Sequence, residues 1–362
     1  MELYTIEANS SQCKSVVEEK QLELFSSFYA EDNNTQSLSL YDIIPKFFLA
    51  KTRAQKTSDS RKIENLKVGN NRVEIEITPA IVKTSQGNKI IFPGVREELI
   101  ERALRFMAVQ QNVDLSLEHA INDKKACKIA IVFTLSSLRK RLAKDGHNFK
   151  LSELKEGLDV LRKCDLTIIG NINKQEEGVL YGPILDISFQ VRPTGSEDKD
   201  GKETYFKAFF HPLATQSIIK REYYLMNYKR LMKLNLPLAR WIATRVNERF
   251  RQASKRSWID GEKGGYRLTL KNVLNESGIV VEKLLKNNIA RIRNALEELT
   301  ENSFLDSIKA FDEKATLQPT KGRAKIIDME WILYPSSEFA EEIIKGNIER
   351  KKISSTFPKA IQ

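Results

Sequence analysis

Asn287, Arg291 and Asn294 recur at intervals of four and three residues, so on a helix their side chains share one face. A guanidinium matches the O6 and N7 acceptors of guanine, and a carboxamide matches N6 and N7 of adenine. Such a face carries the chemistry that reads base edges in the major groove. Lys286 and Arg293 flank it, and Ile289, Ile292, Leu296 and Leu299 form the apolar stripe that sets which side is outward. Arg249 and Arg251 upstream, with Lys314, Lys321, Arg323 and Lys325 downstream, are candidate phosphate contacts, which position a duplex without reading it. The plainer alternative is a solvated helix face and a lysine-rich loop.

Residues that could carry catalysis are scattered. Nicking DNA through a tyrosine needs paired histidines around a metal, whereas His119, His147 and His211 stand alone. Gly195 to Gly201-Lys202-Glu203 is one residue too long for a phosphate-cradling P-loop and lacks its hydroxyl. Asp198-Lys199-Asp200 imitates a metal-binding pair, but it sits at the tip of a polar loop with no strand to fix it. Glu153-Leu154-Lys155 lies mid-helix, where a surface ion pair accounts for it. Cys13, Cys127 and Cys164 fit neither a disulfide framework nor a zinc site, and read as reduced, mostly buried thiols. The expectation is a chain that catalyses nothing and uses no cofactor or metal, with a metal-dependent DNA-nicking enzyme as an alternative.

The 362 residues, 41% hydrophobic and 30% charged, exclude a wholly disordered chain and suit two compact domains with extensions. Lys and Arg number 59 against 48 Asp and Glu, a net charge of +11. That balance suits a partner dense in phosphates, because each neutralised phosphate releases counterions. A membrane surface is the competing anionic partner. No stretch is long and apolar enough to span a bilayer, and Met1 to Glu7 has neither a basic nor an apolar signal region, so no membrane and a cytoplasmic location are expected.

The candidate reading face needs elements to position it, and these occur twice. Thr134-Leu135 through Gly146 to Leu166, and Thr269-Leu270 through Gly278 to Phe304, each offer a Thr for the N-cap of a short helix, a Gly for its C-terminal turn and a longer amphipathic helix. That is helix-turn-helix grammar. Leu151, Leu154, Leu158 and Leu161 repeat the spacing of Ile289, Ile292, Leu296 and Leu299. A hairpin should follow each helix as a wing, from Leu166–Ile169 to Val179–Tyr181 in the first repeat and from Phe304-Leu305 to Ile326-Ile327 in the second. The outward positions differ. In the first repeat they are Phe149, Glu153 and Glu156, with Asp159 nearby, and carboxylates there would repel phosphates. Major-groove reading is therefore assigned to the second repeat.

The fold class expected is α+β, two tandem winged-helix domains. Residues 1–71 form an N-terminal extension, in which Leu40 to Phe48 reads as a docking segment and Lys51, Arg53, Lys56, Arg61 and Lys62 as a basic arm, or the whole as a solvated linker. Residues 72–235 make the first domain, for dimerisation and accessory DNA contacts, and 236–335 the second, for groove reading. Residues 336–362 form a C-terminal helix, around 338–350, and a fraying tail. Within the first domain, alternation predicts a hairpin from 72–78 through Gln86-Gly87-Asn88 to 90–92, a helix from Val95 to Met107, and a second hairpin joining 185–191 to 205–209 across a polar loop at 193–203. Pro237 opens a further helix.

Four strings resemble the tandem winged-helix initiators of iteron plasmids, the RepA, RepE and TrfA group. They are Leu40-Tyr41-Asp42-Ile43-Ile44-Pro45-Lys46, Phe92-Pro93-Gly94-Val95-Arg96-Glu97-Glu98-Leu99, Pro237-Leu238-Ala239-Arg240-Trp241 and Arg291-Ile292-Arg293-Asn294-Ala295-Leu296-Glu297-Glu298-Leu299, within a span of about 40 to 335. The resemblance implies binding to repeated origin sequences in double-stranded DNA, opening of the adjacent duplex, recruitment of host initiator and helicase, and a homodimer in equilibrium with monomer that represses its own gene. It departs from the group in its long N-terminal extension and in the 193–203 loop. A two-domain transcriptional repressor would show the same helices and charge.

Overall fold

A computed structural model describes residues 34–38, 41–48, 54–55, 59–68, 71–84, 87–110, 130–173, 176–191, 204–219, 223–249, 265–318 and 325–356. The chain is a mixed α/β protein with small antiparallel sheets.

β1 (Asn34–Leu38), the buried stretch 41–48 and β2 (Ala54–Gln55) come first. β3 (Arg61–Val68) pairs with β4 (Asn71–Thr78), and β5 (Ala80–Thr84) pairs with β6 (Gly87–Ile91). The expected hairpin from 72–78 to 90–92 is thus corrected. Pro79 has no N–H to continue a ladder, so the chain leaves the sheet there and a separate strand makes the turn. Val73, Ile75 and Ile77 of β4 face the core between partners on both edges. α1 (Val95–Gln110) follows, with Glu97 accepting from the Gly94 amide at 2.8 Å.

β7 (Ala130–Thr134) leads into α2 (Leu135–Lys144) and, past Gly146, α3 (Leu151–Lys163). β8 (Asp165–Asn173) pairs with β9 (Glu176–Pro183), Ile168 opposite Leu180, and completes the sheet β3-β4-β8-β9. β10 (Leu185–Val191) pairs with β11 (Tyr205–Phe210) as expected, and β7 adds to its far edge. The 193–203 loop lies outside the described residues, as do Cys13, Cys127 and His119. Cys164 is buried, which pushes its thiol above the ordinary range.

α4 (Pro212–Ile219), β12 (Tyr223–Asn227) and α5 (Tyr228–Lys233) connect to α6 (Pro237–Arg249). Then come β13 (Tyr266–Thr269), α7 (Leu270–Glu276), α8 (Leu285–Glu301), β14 (Phe311–Gln318) and β15 (Lys325–Leu333), with sheet order β13-β15-β14. α9 (Ser337–Thr356) runs further than the short helix expected around 338–350.

Two hydrophobic clusters form the core. Their membership departs from the expected boundaries. Tyr41, Ile44 and Phe47, placed in the extension, belong to the first cluster, and Phe339 and Ile343, placed in the C-terminal helix, belong to the second. α5 serves both, Tyr228 and Met232 facing one and Leu231, with Leu234 just past the helix end, the other. Apolar residues beside a core gain more by joining it than by staying solvated, whatever their position in the chain.

Candidate nucleic-acid interface

In the second unit, Thr269 caps α7 by accepting from the Asn272 amide at 3.2 Å. Gly278 turns the chain at φ +77°, a backbone angle that favours glycine. A Cβ at Gly278 would also stand 2.7 Å from the carbonyl oxygen of Phe47, so the turn lies directly on the buried 41–48 stretch. α8 then buries Ile289, Ile292, Leu296 and Leu299 as its spacing predicts. Lys286, Asn287, Arg293 and Asn294 are exposed and Arg291 is half-buried.

Two of these side chains already have partners. Arg291 Nη1 donates to Val280 O at 2.8 Å. Arg293 makes a bidentate pair with Glu313 of β14, at 2.7 and 2.8 Å, and Glu313 also accepts from Trp331 Nε1 at 2.6 Å. Those hydrogen bonds hold the Glu313 carboxyl below its ordinary range. Arg293 therefore ties the helix to the hairpin in the free protein, a role its outward position did not reveal.

β14 is the edge strand of its sheet, and Asp312 to Gln318 are exposed on both faces. Lys314 stands opposite Glu330 and Lys325 opposite Gln318, both lysines exposed. Lys321, Arg323 and Arg251 lie outside the described residues; Arg249 is the last residue of α6. The first strand of this hairpin was expected at Phe304-Leu305, and that is corrected. Both residues are buried below the end of α8, where Ser303 turns at φ +56° and the Phe304 amide bonds back to Leu299 O at 2.9 Å. The strand starts only at Phe311.

Residues missed by sequence reasoning hold this unit in place. Asn288, buried, accepts from the Glu282 amide and donates to Glu282 O, each at 2.9 Å. Glu298 accepts from the Leu236 amide at 2.9 Å at the start of α6. The signal was a polar residue on an apolar stripe.

α1 carries a buried ion network that joins the two units. Asp42 accepts from Arg105 at 2.8 and 3.0 Å, and Glu101 pairs with Arg105 at 2.8 Å. Glu98 lies between Arg102 at 3.0 Å and Arg240 of α6 at 3.2 Å. Burial alone would raise the Glu98 carboxyl, but Arg240 and Arg102 hold it below the usual range. Burial pushes Lys46, beside Asp42 at 3.7 Å, down to about 8. The stretch expected to dock elsewhere is thus fixed within its own chain. Arg61, placed in a basic arm, is half-buried with its guanidinium 5.5 Å from the Phe48 ring.

The first unit repeats the grammar with other surroundings. Thr134 and Ser137 form a reciprocal cap, and Gly146 turns at φ +88°. Phe149, expected outward, packs on the first cluster, and Leu151, expected inward, is exposed at the start of α3. Glu153 accepts from the Lys150 amide at 2.7 Å, Glu156 pairs with Arg96 of α1 at 3.0 Å, and Asp159 pairs with Arg162 and Lys163. A Cβ at Gly157 would meet Ile100 Cδ1 at 2.6 Å, so α3 and α1 cross closely there.

Among the described residues no group of three His, Cys, Asp or Glu side chains could hold a metal, and no helix is long and apolar enough to cross a membrane. His147 and His211 lie in separate places, bonded to Met232 O at 2.9 Å and Leu166 O at 3.2 Å.

No protein-family profile matches the chain, and no curated protein sequence matches it. Among solved structures it is similar to a crystal structure of domains 2 and 3 of RctB, with a TM-score of 0.44 and 12% identity over 82% of this chain and 96% of that one. A second crystal structure of RctB domains 2 and 3 gives 0.41 and 12%, over 85% and 99%. The Pi initiator protein, crystallised in complex with iteron DNA, gives 0.35 and 13%, over 67% and 94%.

Proposed function

We propose that this chain is a DNA replication initiator of the plasmid Rep type, built from two tandem winged helices, whose second unit reads repeated origin sequences in the major groove. One observation carries the reading. A helix with an exposed polar face, Lys286, Asn287 and Asn294, stands beside a hairpin whose edge strand β14 is exposed from Asp312 to Gln318, with Lys314 on that strand and Lys325 at the start of β15. A helix in the groove and a basic ribbon along the backbone is how such units divide base contacts from phosphate contacts. Arg291 and Arg293 add to the reading face by exchanging Val280 O and Glu313 for the duplex. Lys321, Arg323, Arg249 and Arg251 are further phosphate contacts in this reading.

The same proposal gives the first unit dimer contacts and secondary DNA contacts, sets a homodimer in equilibrium with monomer, and has the chain help open the adjacent duplex and recruit host initiator and helicase. It assigns the chain no catalytic step and no cofactor. The four strings that resemble iteron-plasmid initiators favour initiation over repression.

The test is a titration of the full chain on duplex DNA across salt. With roughly 6 to 10 phosphates contacted, affinity should fall about a thousandfold or more between about 50 and 200 mM salt. A flat dependence would remove the nucleic-acid reading. Transformation with an origin fragment, with and without the gene, then separates an initiator from a repressor.

A further inference from the structure

We propose that the turn before α8 reads thymine: Val281 and Leu284 prolong the polar reading face with an apolar surface that packs against thymine C5 methyl groups in the same groove. The inference rests on α8 entering the major groove. Val280, Val281 and Leu284 are 41%, 54% and 56% exposed, three large apolar side chains within five residues. Single exposed apolar residues are ordinary on a protein surface, but a cluster marks a contact site.

Position and rigidity say what the contact is. Leu284 is the N-cap of α8, and Leu284, Asn287, Arg291 and Asn294 follow one another at intervals of three, four and three, along one stripe of the helix. Residues at the start of a recognition helix are those that meet base edges. The backbone of the turn is held from within, because Asn288, buried, bonds both the amide and the carbonyl of Glu282. The apolar side chains are therefore displayed from a fixed backbone. Exposed Lys283 and Lys286 stand beside them, and the one exposed carboxylate between, Glu282, faces Arg291 at 3.9 Å, so the charge around the turn is net positive and suits a phosphate-lined groove. Of the four bases only thymine presents a methyl group on its major-groove edge, and apolar side chains are its usual partners.

The experiment starts from duplexes selected by the full chain from a randomised pool. The selected duplex is remade with deoxyuridine for thymidine at one position at a time, which removes a methyl group and leaves pairing and phosphates unchanged. At thymines facing the turn, affinity should fall about fourfold for each methyl lost. Val281→Ser combined with Leu284→Ser, at exposed positions, should lose a similar factor on the thymidine duplex and become indifferent to deoxyuridine. If the unaltered chain binds every deoxyuridine duplex as tightly as the parent, the thymine assignment is overturned while groove reading stands. If no duplex is selected at any salt, groove reading falls too. A double variant that keeps its sensitivity to deoxyuridine but sediments as a smaller species would give the turn to a second copy of the chain and overturn the proposal.

Discussion

Helices α3 and α8 each follow a threonine-capped short helix and a positive-φ glycine, yet the hairpins behind them have different fates. β8 pairs with β4 as well as β9, and it buries Leu166 and Ile168, so the first hairpin is one side of a four-stranded sheet. Among the described strands β14 pairs with β15 alone, and from Asp312 to Gln318 it is exposed on both faces. The surfaces of the helices differ in the same sense. Glu156 of α3 is engaged by Arg96 of the neighbouring α1, whereas Asn287 and Asn294 of α8 are exposed. Each hairpin thus has one strand paired further into its sheet, β8 with β4 and β15 with β13, and what sets the second apart is the exposure of β14 from Asp312 to Gln318 beside an uncharged carboxamide face.

The largest expected effect tests how strongly the two units are joined. Arg240 is fully buried beside Glu98, and it also donates to Leu234 O at 2.6 Å. Arg240→Ala leaves a buried carboxylate with only Arg102 to meet it, at a cost of about 3 to 5 kcal/mol. Denaturation should show that loss. Arg240→Met with Glu98→Leu removes both charges and should recover much of it. A single variant as stable as the parent would mean that the units are held by apolar contact alone.

The next effect separates the units by pH. All three histidines precede residue 236. His211 is buried and neutral, with Nε2 bonded to Leu166 O of β8 and Nδ1 accepting from the Leu213 amide at 3.1 Å. Burial pushes its pKa down to about 4 from an ordinary 6.5. The unfolded chain therefore binds the proton first, and this stability is complete above about 6.5 and lost as pH falls towards 4, roughly 3 kcal/mol in all. His211→Gln should flatten that part of the pH profile. Amide exchange should place the acid-induced opening at β8 and β11 and not at β14 and β15. Equal acid sensitivity of both sheets would contradict the assignment.

Much of the local order was legible in the sequence because it depends on near neighbours. Thr134 and Thr269 as caps, Gly146 and Gly278 as turns, and the buried stripe of α8 all follow from residues a few positions apart. What was not legible depends on distant partners. Asp42, Glu98 and Arg240 belong to three of the family-like strings and converge on α1, which gives those strings a shared structural role. Phe149 faces the core because α1 and the sheets behind it offer apolar surface, a fact its helical phase does not contain. Arg293 was assigned to DNA on position alone, and Glu313, twenty residues on, engages it in the free protein.

The smallest expected effect bears on the division of labour itself, and it compares Arg291→Ala in α8 with Glu156→Ala in α3. In the free protein the Arg291 side chain is 35% exposed and holds Val280 O, so reading a base means exchanging one hydrogen bond for a bidentate pair. Its removal should cost about 1 to 3 kcal/mol of discrimination between a selected and a scrambled duplex, while binding to the scrambled one changes little. Glu156→Ala acts oppositely. It removes one of the two carboxylates that Arg96 meets, leaving Glu97 at 2.9 Å, and takes a negative charge off α3, a change in charge that carries no sequence. Both duplexes should then bind equally well or slightly better, with the preference between them unchanged. Titration of both variants on both duplexes at one fixed salt concentration gives the comparison. If Glu156→Ala relaxes the preference and Arg291→Ala keeps it, the first unit is the reader.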